Sequence, residues 1–277
     1  MILLYSLLAL SLISTGLYVY FGEYLKGNIL YYTMPLVFII SLFILIILLI
    51  LFLVICLSLR PKNKTEPNGF FSFFTTQVAQ IFSIVSRVRI KIENYDLIPK
   101  DGKFLFISNH QSLQDPIAIL GVFRKYKISY IMKDSLMKIP FVGSWLEAGG
   151  FLPIDRKNDR NALKTIIKAG KRLEAGYPIA VFPEGTRSGS KTIGEFKNGI
   201  FKIAQKAEAP VVVCLVENFY SIRKRFPLKC TKVLIRVCEV IPNHEFRDIH
   251  TNEIGNRCRN ILLANQINAR KNYSWIE

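Results

Sequence analysis

With 277 residues, 51% of them hydrophobic, and a formal net charge of +17, the chain is long enough for one sizeable domain plus a membrane anchor. The charge is lopsided: residues 1–59 carry only Glu23 and Lys26, so the basic excess belongs to residues 60–277. No nucleic-acid recognition module accompanies it, which excludes nucleic acid as the expected partner and leaves anionic lipid headgroups or an acidic substrate.

Two apolar blocks fill the N-terminus, residues 2–21 and 29–59. A membrane-spanning helix needs about 20 apolar residues, so the first block just suffices. The second would be about 46 Å long as a helix against a hydrocarbon core of about 30 Å, and must tilt, bend or extend beyond the bilayer. The first block lacks a basic leader and a small-x-small cleavage site, so it reads as retained rather than cleaved. Residues 22–28 then form a tight connection, giving a helical hairpin that either spans twice or dips in and returns. Arg60, Lys62 and Lys64 follow at once, which by the positive-inside tendency puts the large C-terminal part on the cytoplasmic face. The polar stretch 61–69 carries two prolines and a glycine and is the expected domain boundary, separating an anchor (1–60) from a domain (61–277).

Phe70, Phe74, Val78, Ile81, Phe82 and Val85 recur at helical spacing and predict an amphipathic helix over about 70–86. It either packs on the domain core or lies in the membrane interface. Strands are predicted over 88–92, 103–108, 128–132, 151–154, 179–182, 211–216 and 232–240. The last of these turns Val233, Ile235 and Val237 inward against charged neighbours. Helices are predicted over 117–123, 161–173 (capped by Asp159 and stopped near Gly176), 196–207 and about 251–269. Residues 136–148, interrupted by Pro140 and Gly143, predict a kinked or short helix. Strands alternating with helices imply an α/β layered domain with a mostly parallel sheet flanked by helices, its catalytic core over about 87–242. The five cysteines form no C-x-x-C pair and no metal-type spacing with the three histidines, so reduced thiols and no metal site are expected.

Sites in such sheets gather beyond the carboxyl ends of strands. His110 and Asp115 follow one predicted strand end. Asp115, before Pro116, reads as the N-cap of the next helix, and the intervening turn lets its carboxylate fold back to the imidazole and make His110 a better base. A second strand end leads into Pro183-Glu184-Gly185-Thr186-Arg187-Ser188, where Arg187 can grip a phosphate bidentately and the hydroxyls can donate. The Gly-x4-Gly-Lys pattern of a P-loop is missing. A third closes at Pro153-Ile154-Asp155-Arg156, where Arg156 faces either Asp155 and solvent or an anion.

Together these stretches, across about residues 85–220, resemble the PlsC-type glycerolipid acyltransferases, specifically the bacterial 1-acylglycerol-3-phosphate acyltransferases. Asn109-His110-Gln111-Ser112-x-x-Asp115 matches the family's His-x4-Asp motif and Phe182-Pro183-Glu184-Gly185-Thr186-Arg187-Ser188 its third motif, while Lys133, Leu136, Pro140, Gly143, Gly150 and 153–156 follow its second block. The fourth block departs: Ala209-Pro210 keeps one proline, and Val213 stands where a second is expected. The resemblance implies His110 and Asp115 as catalytic residues. Glu184, Gly185, Thr186 and Arg187 would hold the acceptor's glycerol phosphate, with Arg156 and Lys133 as further anion contacts. It implies a membrane enzyme, at the bacterial inner membrane, that acylates lysophosphatidic acid from acyl-CoA or acyl-carrier protein as co-substrate, with no cofactor. Other lyso-lipids, such as a lyso-ornithine lipid, or glycerol 3-phosphate are alternative acceptors. A hydrolase using Ser112 lacks the Gly-x-Ser-x-Gly elbow, and a membrane lipid-binding protein is the non-enzyme alternative.

Overall fold

The computed structural model describes residues 2–22, 29–59, 67–155 and 158–276. Residues 23–28, 60–66 and Arg156 lie outside the described residues, and with them most of the expected tight connection and of the expected linker. The chain divides into two compact units, Met1–Lys62 and Asn63–Glu277.

The first unit holds α1 (Ile2–Gly22) and α2 (Ile29–Leu59), packed as a hairpin. Within an apolar seam, polar side chains tie the two helices. Ser11 Oγ donates to the Phe38 carbonyl at 3.0 Å and lies 2.8 Å from Ser41 Oγ, and Tyr18 Oη lies 2.9 Å from Thr33 Oγ1. Small hydroxyl residues at such a seam let helices approach and bond where hydrocarbon offers no partner. Windows of 19 and 23 residues, Ile2–Tyr20 and Thr33–Ile55, are long and apolar enough to cross a membrane.

The second unit is built on seven strands: β1 (Val88–Glu93), β2 (Leu105–Ser108), β3 (Ser129–Lys133), β4 (Leu152–Ile154), β5 (Ile179–Val181), β6 (Val211–Glu217) and β7 (Thr231–Ile241). Their order is β1-β7-β6-β2-β5-β3-β4. Strands β6, β2, β5, β3 and β4 pair in parallel; β7 runs antiparallel to β6, and β1 runs parallel to β7. The helices are α3 (Gly69–Val85), α4 (Gln114–Val122), α5 (Val142–Ala148), α6 (Asp159–Glu174), α7 (Lys202–Lys206), α8 (Ile222–Arg225) and α9 (Thr251–Asn272). Side chains alternate along the central strands. Leu105, Ile107, Val211 and Val213 join one core under α6, α7 and α9, while Phe104, Phe106, Val212 and Cys214 join another that includes residues of α3 and α4. Burial on both faces is what a parallel sheet covered by helices requires.

Several expectations are corrected. Strand β7 is buried on both faces, because Leu234 and Arg236 are covered too. Arg236 Nε donates to Glu93 Oε2 at 2.6 Å and its Nη1 reaches the Asn265 carbonyl of α9 at 3.4 Å, so a cation survives in the core by pairing. The helix expected at 196–207 is a 3-10 turn, Asn198–Phe201, leading into the short α7; Lys197 N donates instead to the Pro183 carbonyl at 2.9 Å. Helix α6 is capped by Asn158, whose Oδ1 accepts from Asn161 N at 3.1 Å, rather than by Asp159. Helix α3 packs through Phe71, Thr76, Gln77 and Ala79, while Val78, Phe82 and Val85 are exposed. Its more apolar face points away from the core.

The interruption at 136–148 resolves into a 3-10 turn, Asp134–Lys138, and α5. Gly143 sits so close to the end of that turn that a Cβ would lie 1.9 Å from the Met137 carbonyl oxygen. Replacing Gly143 by Ala is therefore expected to cost about 1–3 kcal/mol through forced backbone movement. Thermal unfolding of the purified variant in detergent checks this; an unchanged midpoint contradicts the close approach.

Candidate active site

Strand β2 delivers the chain to Ser108 and Asn109. Asn109 mimics one more ladder residue: its Nδ2 donates to the Val216 carbonyl and its Oδ1 accepts from Val216 N, both at 2.9 Å. The chain then leaves the sheet and doubles back on Asp115. That carboxylate is fully buried, and its Oδ2 accepts from Gln111 N at 2.6 Å, Ser112 N at 2.8 Å and His110 Nδ1 at 2.8 Å. Asp115 therefore does not cap α4. The N-cap position belongs to Leu113, without a side-chain bond, and Asp115 lies inside the first turn. Pro116 is tolerated there because the first-turn amides have no intrahelical partner.

An ionised Asp115 can only accept, so the proton of neutral His110 sits on Nδ1 and the lone pair on Nε2. The imidazole stacks on Phe182 with centroids 4.1 Å apart, and Phe182 stacks on Tyr130 at 5.4 Å. The backbone of His110 is gripped from the 182–188 stretch. Its N donates to Glu184 Oε1 at 2.7 Å, and its carbonyl accepts from Ser188 N at 2.8 Å. Glu184 Oε2 accepts from Gly194 N at 2.8 Å, so both oxygens of this buried carboxylate hold backbone amides. Gly185 turns the chain with φ of 72°, a conformation that favours glycine.

A cavity of about 500 Å³ opens over this arrangement. His110, Gly185, Thr186, Arg187 and Lys133 line it together, with Leu113, Tyr130, Met132 and Leu136 supplying apolar wall. Glu184 stands behind the cavity rather than in its lining, and Ser112 is also outside the lining. Arg156 lies outside the described residues. Sequence reasoning missed the stack beneath His110, although Phe182 stood inside a quoted motif. It also missed Gln111, whose Oε1 accepts from Phe219 N at 3.0 Å.

Burial pushes the carboxyls of both Asp115 and Glu184 upward; the His110 pairing and the backbone amides pull Asp115 back, and backbone amides do the same for Glu184.

The fold and site define an α/β layered domain with a carboxylate-backed histidine at the strand ends. Residues 89–217 match the family model described as Acyltransferase. The chain is 34% identical over 158 residues to the 1-acyl-sn-glycerol-3-phosphate acyltransferase of Helicobacter pylori, covering 56% of this chain and 64% of that one. It is 31% identical over 143 residues to a chloroplastic 1-acyl-sn-glycerol-3-phosphate acyltransferase of Arabidopsis thaliana, covering 51% and 40%. The chain thus spans 40–64% of the length of these curated relatives. Among solved structures, the PlsC acyltransferase of Thermotoga maritima superposes with a TM-score of 0.63 at 23% identity, covering 79% of this chain and 87% of that one; this likeness concerns the fold.

The raised Asp115 carboxyl carries a pH signature. Burial makes the folded state hold its proton more tightly than the unfolded chain does. The stability from this group is full at low pH and is lost as pH rises through the raised titration, above the usual carboxylate value of about 4. Asp115→Asn removes that loss, so the unfolding midpoint of the variant, relative to the native protein, should rise with pH. Melting curves from acid to neutral pH measure the difference, and a falling difference would reverse the assigned sign.

Proposed function

We propose that the protein is a 1-acylglycerol-3-phosphate O-acyltransferase, moving a fatty acyl group from a thioester, acyl-CoA or acyl-carrier protein, to the sn-2 hydroxyl of lysophosphatidic acid. The product is phosphatidic acid. The observation that carries this reading is that His110, backed by Asp115, lines the same half-apolar cavity as the cations Arg187 and Lys133.

In this mechanism the free hydroxyl gives its proton to His110 Nε2 as its oxygen attacks the thioester carbonyl. Asp115 stabilises the imidazolium that forms. Collapse of the tetrahedral intermediate breaks the carbon–sulfur bond, and the proton passes from Nε2 to the departing thiolate. A thiol, with a pKa of about 8.5, leaves far more readily than an alcohol, so the reaction runs toward ester. No acyl-enzyme is needed. Arg187, Lys133 and Thr186 hold the acceptor's phosphate, and Gly185 gives the turn that presents them. Glu184 works through the His110 backbone; a carboxylate beside phosphate would repel it. Arg156 is a further anion contact in this reading. The apolar wall receives acyl chain, and the two N-terminal apolar helices supply the membrane anchor, with the catalytic domain on the cytoplasmic face of a bacterial inner membrane.

Purified protein mixed with lysophosphatidate and each donor, read by mass spectrometry, should yield phosphatidic acid; no ester product from either donor would sink the reading. His110→Ala should lower turnover by about 10²–10⁴-fold without changing the fold. Arg187→Ala should raise the acceptor KM roughly ten-fold, the worth of one lost charge-assisted hydrogen bond. An unchanged KM removes the phosphate role.

A further inference from the structure

Apart from Phe219, whose N donates to Gln111 Oε1, the chain between β6 and β7 takes no part in the site described above. Residues 219–232 carry five cations, Arg223, Lys224, Arg225, Lys229 and Lys232, and no carboxylate. Two large apolar side chains stand out among them: Phe226 is 48% exposed and Leu228 83%. A lone exposed leucine is ordinary. This one has specific neighbours. Ile222 is buried and pins the short α8 to the core, so the segment beyond it is presented outward. Arg87 Nη1 donates to the Pro227 carbonyl at 3.3 Å, and Thr231 N donates to the Arg87 carbonyl at 3.0 Å. These bonds seat the loop against the joint between α3 and β1. There α3 ends in the stripe Val78, Phe82 and Val85, spaced i, i+4, i+7 and exposed by 55%, 40% and 63%.

Topology puts this surface beside the cavity. Strands β6 and β2 are parallel and β7 runs back, so the β6–β7 crossing lies at the sheet end where β2 delivers His110. Strand β1 runs with β7, so the α3–β1 joint lies there too. Two strand spacings separate β7 from β2, about 10 Å. Gln114 Nε2, one residue past the exposed cavity residue Leu113, reaches Ser86 Oγ at 3.5 Å and closes the interval.

We propose that the 223–229 loop, with Arg87 and the outward stripe of α3, is a docking surface for anionic lipid headgroups that sets the cavity mouth on the bilayer. Cations interleaved with exposed Phe and Leu, beside an outward apolar helix face, are the composition of an interfacial element. An acidic carrier protein would match the cations but leave the α3 stripe uncovered. The inference rests on the membrane-enzyme reading of the site, and each has its own readout.

The full-length protein is reconstituted in phosphatidylcholine vesicles with or without phosphatidylglycerol. Leu228→Trp should gain fluorescence that brominated acyl chains quench, more strongly when phosphatidylglycerol is present. Arg223→Gln/Lys224→Gln/Lys229→Gln should lose several-fold of the rate gained on adding phosphatidylglycerol, since each basic residue near an anionic surface is worth roughly five-fold in partition. Its rate in neutral detergent micelles should be unchanged. If the indole introduced by Leu228→Trp stays unquenched in vesicle-bound protein, the proposal is overturned, as it is by quenching indifferent to lipid charge. A triple variant impaired only with carrier-protein donor, whatever the lipid, also overturns it and reassigns the surface. Lipid-dependent quenching without turnover on lysophosphatidate supports the docking surface while removing the acceptor reading.

Discussion

One residue, His110, is held by two buried carboxylates. Asp115 takes its ring nitrogen and Glu184 its backbone amide. The Asp115 contact also closes the loop, because the same oxygen accepts the amides of Gln111 and Ser112. A carboxylate can accept several hydrogen bonds at once, and in a dry pocket each is stronger than in water. The cost is burial of charge, roughly several kcal/mol per ion before compensation. Both carboxyls are pushed upward by it. The three donors on Asp115 and the two on Glu184 offset that cost and fix where the imidazole points.

The loop is also braced from below. Asn109 bonds β6 on both its polar atoms, and Gln111 accepts from Phe219 just beyond β6. Gln111 Nε2 lies 3.4 Å from Glu217, a fully buried acid at the end of β6. Glu217 in turn accepts from Gln266 at 2.6 Å and Arg270 at 3.1 Å, both on α9. The C-terminal helix thereby anchors the ground beneath the histidine, even though residues past about 220 bear none of the motifs that point to chemistry. The departure at Val213 falls beside a bulge in the β6–β7 pairing, where the strand is fully buried.

The alternation of strands and helices was legible because apolar periodicity is local. So was the approach of His110 to Asp115, since five residues spanning a turn can meet without help from the rest of the fold. What was not legible depended on distant partners. Glu184 stood in a motif, yet its partner amide is 74 residues away, and a carboxylate near Arg187 reads as part of a phosphate site until that bond is seen. The covering of Leu234 and Arg236 needs α9, and the stack of His110 on Phe182 and Tyr130 needs three strands in register. Helix α3 was legible as a helix but not in its direction, because Thr76 and Gln77 rather than its valines meet the domain.

The chemistry of the cavity follows from this convergence at one sheet end. The strand ends of β2, β3 and the turn after β5 can each supply only the residues they finish on. They finish on His110, Lys133 and Arg187, with Leu113, Leu136 and Tyr130 between them. A wholly charged ligand would leave that apolar wall wet, and a wholly apolar one would strand two cations without a partner. The proposed acceptor, an amphiphile with an anionic head, would satisfy both halves, and its hydroxyl, lying between head and chain, would meet the imidazole at their boundary.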